Sequence, residues 1–100
     1  MRNSAKIYQL QDLIGKIDEV DKMVKLHASD SSKFMLQQYE AKKEKLLGYL
    51  IDELVDSPLR SHYSFKLVLM ALKKYYPDLN KKVSSDKNYE ELKSIEAVLA

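Results

Sequence analysis

Apolar residues recur along the first quarter of the chain at Ile7, Leu10, Ile14, Ile17 and Val24, with Leu13 and Val20 flanking the same stripe. Steps of three, four and seven place these side chains on one face of an α-helix, because a half-buried strand needs alternation at every second residue. Asn3 or Ser4 can cap the start of this helix by accepting a backbone N–H bond. The polar cluster Ser29, Asp30, Ser31 and Ser32 then breaks the pattern and supplies a turn. A second helical stripe follows at Leu36, Tyr39, Leu46, Leu47, Leu50, Ile51 and Leu54, and stops near Asp56, where Ser57-Pro58 offers a new cap and a first-turn proline.

Two helices of about 24 residues, each about 36 Å long, joined by four polar residues, predict an antiparallel hairpin over about residues 4–56. With the turn centred on residue 30, Leu10 faces Leu50, Ile14 faces Leu46 and Val24 faces Leu36. The same register sets Asp21 against Tyr39 and Ile17 against Lys43, polar intrusions that can fix register at some cost in stability. Gly15 and Gly48 fall inside the two helices, where each costs about 1 kcal/mol relative to Ala, so close helix approach is the expected compensation.

From about 58 to 76 the chain is apolar nearly all round. Phe65, Val68, Leu69, Leu72 and Tyr76 share one face of a third helix, and Tyr63, Leu67, Met70 and Ala71 occupy the other. Such a helix is expected to be buried on all sides. Lys73-Lys74 suits its C-terminus, and Pro77 stops it. Residues 78–85 predict a loop or single turn. A fourth helix over about 86–99 then carries Tyr89, Leu92, Ile95, Val98 and Leu99 on one side, with Asp86 or Asn88 as its cap.

The stripes of the hairpin are wider than a two-stranded seam, and the third helix has a face to spare. At about 25 cal/mol per Å², a few hundred Å² of apolar surface left wet forfeits several kcal/mol, comparable with the stability of a whole small domain. The sequence therefore predicts a single all-α domain over residues 1–100, bundle-like and completed by homodimerisation, with Leu13, Val20, Tyr63, Leu67 and Met70 as the candidate protein interface.

Composition agrees with this class. The 100 residues are 45% hydrophobic and 32% charged, with two Gly and two Pro, which leaves little turn material for a many-stranded sheet. Cysteine is absent, so no disulfide, thiolate metal site or Cys nucleophile is available. The start lacks the apolar stretch of a signal peptide, and the longest apolar run, Leu67 to Leu72, is far short of the roughly 20 residues that cross a bilayer. A cytoplasmic protein without membrane contact is expected.

Charge adds one feature. The net charge is +2, but residues 57–83 carry 6 basic and 1 acidic side chains, whereas the flanking segments are mildly acidic. Within that basic block Lys73-Lys74-Tyr75-Tyr76, with Arg60, Lys66, Lys81 and Lys82, combines phosphate-neutralising and base-stacking side chains. A small nucleic-acid-binding accessory protein is the alternative this supports. The competing reading has the lysines favouring the helix terminus and Tyr75 and Tyr76 packing on the hairpin. A helix-turn-helix is disfavoured, since Glu90, Glu91 and Glu96 on the last helix repel phosphate.

Catalytic chemistry finds little support. His27 and His62 have no partner at ligand spacing, so no metal or other cofactor is expected. Ser61, His62 and Ser64 are close in sequence, but neighbours on a helix do not face each other, and a helix-start cap with an edge histidine explains the run. Asp18-Glu19, Asp52-Glu53 and Glu90-Glu91 are adjacent pairs on amphipathic helices, the pattern of solvated faces. Seven tyrosines without a tryptophan favour a protein-binding surface. The expected function is a non-enzymatic helical interaction or adaptor module that pairs with itself and with another protein.

Overall fold

The computed structural model describes residues 4–29, 33–56, 58–83 and 86–100. The expected caps Asn3 and Ser57, and Asp30, Ser31 and Ser32 of the turn, lie outside these. Among the described residues the fold is all-α: α1 (Ser4–His27), α2 (Phe34–Val55), α3 (His62–Tyr75), the single turn α4 (Leu79–Lys82) and α5 (Tyr89–Leu99).

α1 and α2 form the antiparallel hairpin. Lys6 Nζ lies 2.8 Å from Glu53 Oε2 at its open end, Lys43 Nζ lies 2.8 Å from Asp21 Oδ1 further along, and the His27 and Tyr39 rings stack at 5.4 Å beside the turn. Leu10, Ile17, Leu47, Leu50 and Leu54 are buried between the helices in one cluster that α3 completes with Tyr75. Ile14 and Leu46 pack against that cluster from its edge. The polar intrusions fall differently from the expected register. Asp21 meets Lys43, one helical turn away from Ile17, because the long Lys43 side chain reaches along the seam to neutralise the carboxylate.

The third helix starts later than Ser57-Pro58 suggested. Ser61 is its N-cap, with the Ser61 Oγ accepting from the Ser64 N–H at 3.1 Å and the Ser64 Oγ accepting from the Ser61 N–H at 2.8 Å. This reciprocal box satisfies two helix-end donors at once, which a lone serine before a proline does not. Upstream, the Leu59 and Arg60 N–H groups both donate to the Asp56 carbonyl and tighten the corner between α2 and α3.

α3 is not buried all round. Ser64 and Tyr75 are buried and Leu67, Val68, Ala71, Leu72 and Tyr76 partly so, whereas Tyr63, Phe65, Leu69 and Met70 stay exposed. The inward face thus takes half of each face expected from the sequence. At 14 residues, about 21 Å, α3 is shorter than the hairpin, and its C-terminal end lies against Asp18 and Lys43. Leu26, Phe34 and Met35 at the turn end remain exposed.

Two further expectations need correcting. A Cβ built on Gly15 or Gly48 would meet nothing within 4 Å, so neither glycine marks a close helix approach. The last helix begins at Tyr89, not 86, and no residue of it is buried. Asn88 is its N-cap without a side-chain bond, while Asp86 Oδ1 accepts from the Asn88 N–H at 3.1 Å in a local turn.

Candidate functional site

Where α3 crosses the hairpin, its polar end is held by a set of charged and aromatic groups. The Tyr75 hydroxyl donates to Asp18 Oδ1 at 2.7 Å, and Lys74 Nζ reaches the same oxygen at 3.2 Å. One turn along α1, Asp21 accepts from the buried Lys43 and from the exposed Lys25, at 2.8 and 3.2 Å. Lys43 Nζ also sits 4.5 Å from the centre of the Tyr76 ring. Lys43 therefore leaves water for a carboxylate on one side and an aromatic face on the other.

The titration behaviour follows from these contacts. The hydrogen bond from Tyr75 outweighs partial burial and, with Lys74, holds the Asp18 carboxyl below its ordinary value. Burial pushes Asp21 up, but the bonds from Lys43 and Lys25 overcome it and the net shift is downward. Tyr75 is pushed well above the usual phenol range by burial and by the Asp18 carboxylate that its hydroxyl serves. Tyr76 rises to about 12, chiefly through burial, with Glu44 and Glu40 adding to it. At the open end the bond to Glu53 raises Lys6.

Beside this clamp, between α1 and α3, runs an open groove of about 560 Å³. Ile7, Leu10 and Ile14 form one wall, Leu67, Met70 and Ala71 the other, Leu50 and Leu54 the floor, and Tyr63 and Lys74 stand at the rim. Among the described residues Lys74 is the one charged side chain that lines it. The groove exists because α3 is tied down through Tyr75 and leans on α2, so its Tyr63–Leu67–Met70 edge stands off from α1. On the opposite flank of α3 a second depression of about 410 Å³ is lined by Glu40, Lys43, Glu44 and Leu47 of α2 and by Leu79, Val83 and Asp86 from the segment that follows α3.

The candidate interface residues separate accordingly. Tyr63, Leu67 and Met70 line the groove. Leu13 lies on the far side of the hairpin near Tyr49, and Val20 is buried within the chain. Of the candidate nucleic-acid contacts, Arg60, Lys66, Lys73, Lys74 and Lys81 are exposed, and the Lys82 side chain is outside the described residues. Lys66 lies over the Tyr63 ring at 5.6 Å and Lys74 over Tyr75 at 5.2 Å. Tyr75 is buried with its hydroxyl engaged, so it presents no face for a base to stack on. Ser61 and Ser64 spend their hydroxyls on capping, and His62 is exposed at the helix start.

Sequence reasoning missed Asp18 as the anchor of α3 and Lys43 as the buried partner of Asp21. The available signal was a lysine on the core-facing stripe of α2 with two carboxylates one turn apart on α1. Among the described residues no three His, Cys, Asp or Glu side chains gather as metal ligands, and no helix is long and apolar enough to cross a membrane. Comparison with protein-family models, with curated proteins and with solved structures finds no match for this chain.

Proposed function

We propose that the protein is a non-catalytic helical interaction or adaptor module of the cytoplasm that works as a homodimer and receives an amphipathic helix in the groove between α1 and α3. The observation that carries this reading is the groove itself: an apolar trough with a single lysine on its lining, flanked by the exposed Tyr63 and Met70. Apolar clefts about one helix wide are the usual means by which helical proteins hold a partner helix, through anchors spaced three and four residues apart. Contiguous apolar surface of this kind marks interaction sites more often than bare solvent-facing surface.

The alternative, a nucleic-acid accessory protein, retains Arg60, Lys66, Lys73 and Lys81 at the surface but loses Tyr75 as a stacking platform. Lys74, which would contact phosphate, is shared with Asp18.

Sedimentation equilibrium over a wide concentration range tests the proposal. A mass that rises to twice that of the chain supports it. A strict monomer at every concentration contradicts it.

A further inference from the structure

α5 presents an apolar stripe at helical spacing with nothing on it. Leu92 and Ile95 are 53% exposed, Val98 86% and Leu99 82%. An isolated helix of 11 residues is marginal in water, so a stripe this apolar on so short a helix calls for a surface to bind. Resting on the interaction-module reading above, we infer that the groove between α1 and α3 is filled by α5 of a second copy of this chain, and that the exchange is reciprocal, closing a two-fold dimer.

Three observations select this occupant. The first is charge: α5 carries Glu90, Glu91 and Glu96 against the single Lys93, whereas among the described residues the groove is lined by no acidic residue and by one cation, Lys74, which also serves Asp18. The second is the course of the connection. Leu79, Val83 and Asp86 lie on the α2 flank of α3, opposite to the groove, beside Glu40 and Glu44. The chain therefore leaves its own groove behind as it enters α5. The third is size: α5 is about 16 Å long and α3, which forms one wall, about 21 Å. Reciprocity makes the pair self-complementary, as closed two-fold dimers are.

The absence of native cysteine makes a crosslinking test unambiguous. Chains carrying Met70→Cys are mixed with chains carrying Val98→Cys and treated with a short bismaleimide. The expected product joins one chain of each kind, in several-fold excess over either chain crosslinked to its own kind. Indiscriminate pairing overturns the inference, and so does a crosslink at monomer mass in a chain carrying both substitutions, which places α5 in its own groove. Leu92→Glu combined with Ile95→Glu provides the second arm, because α5 contributes nothing to the core of the single chain and the thermal unfolding of the dilute monomer should stay unchanged. The expected result is loss of the dimer. A dimer that survives these changes refutes the exchange while the interaction-module reading stands, and a wild-type chain that never dimerises refutes both.

Discussion

α3 and α5 are built from similar material and end up differently. Both are short amphipathic helices with exposed apolar side chains, and both follow the hairpin within a few dozen residues. α3 is fixed because its apolar face comes with polar handles that the hairpin matches, a tyrosine hydroxyl for Asp18 and a lysine beside it, while a serine box within α3 satisfies its own first turn. α5 has the apolar stripe and an ion pair within itself, Lys93 to Glu90 at 2.8 Å, but among the described residues no group of it pairs with the hairpin's charges. Burial supplies attraction without direction. Matched polar contacts decide where a short helix comes to rest.

The sharpest way to break this contrast is at the centre of the core. Ile17 is fully buried, so Ile17→Ala should cost about 3–4 kcal/mol, read as a lower midpoint of urea unfolding, whereas Ile95→Ala in dilute monomer should stay within about 0.5 kcal/mol. Next comes the clamp. Lys43→Met strands the Asp21 carboxylate in a buried position with only the exposed Lys25 for company, and a loss of about 2–3 kcal/mol is expected. Replacing Asp21 by Leu in the same chain should recover most of it, since an apolar pair needs no compensation.

How far these positions were legible beforehand differs from one to the next. The hairpin could be read because its stripe repeats for seven turns, and a long period averages out local exceptions. Leu10, Leu50, Ile14 and Leu46 accordingly belong to one cluster or its edge. The start of α3 was misread because Ser57-Pro58 and Ser61-x-x-Ser64 are both plausible caps by composition, and only the second is reciprocal. Asp21 and Lys43 were seen as intrusions but not as a pair, since register arguments track backbone positions while these side chains reach one turn along the seam. The groove was invisible in the sequence, because it depends on which edge of α3 leans on α2. Nothing in the spacing of Leu92, Ile95 and Val98 distinguishes a helix that packs on its own chain from one that does not.

Tyr75→Phe probes the handle itself and should cost about 1.5 kcal/mol, the worth of a hydrogen bond to a charged acceptor that retains its lysine. The same contact has a pH signature in both directions. Asp18 and Asp21 titrate below their ordinary value in the folded chain, so the stability they contribute is complete above about pH 4 and is lost as the pH falls below it. Tyr75 and Tyr76 titrate above theirs, so their contribution is complete below about pH 10 and is lost as the pH rises beyond it. Thermal melts across pH should therefore fall at both extremes, and Tyr75→Phe should flatten the alkaline limb. Smallest is the effect of the two helix glycines. With open space at both Cβ positions, Gly15→Ala and Gly48→Ala should each raise stability by about 1 kcal/mol, measured by the shift in urea midpoint.

Amide hydrogen exchange of α5, followed through a dilution series that spans the monomer–dimer transition, bears most directly on the difference between the two helices. The amides of α1, α2 and α3 should stay protected throughout, while those of residues 92–99 should be protected in the concentrated sample and exchange freely in the dilute one. Protection of α5 that ignores concentration, or that is absent at every concentration, would contradict a helix held in place by a second copy of the chain.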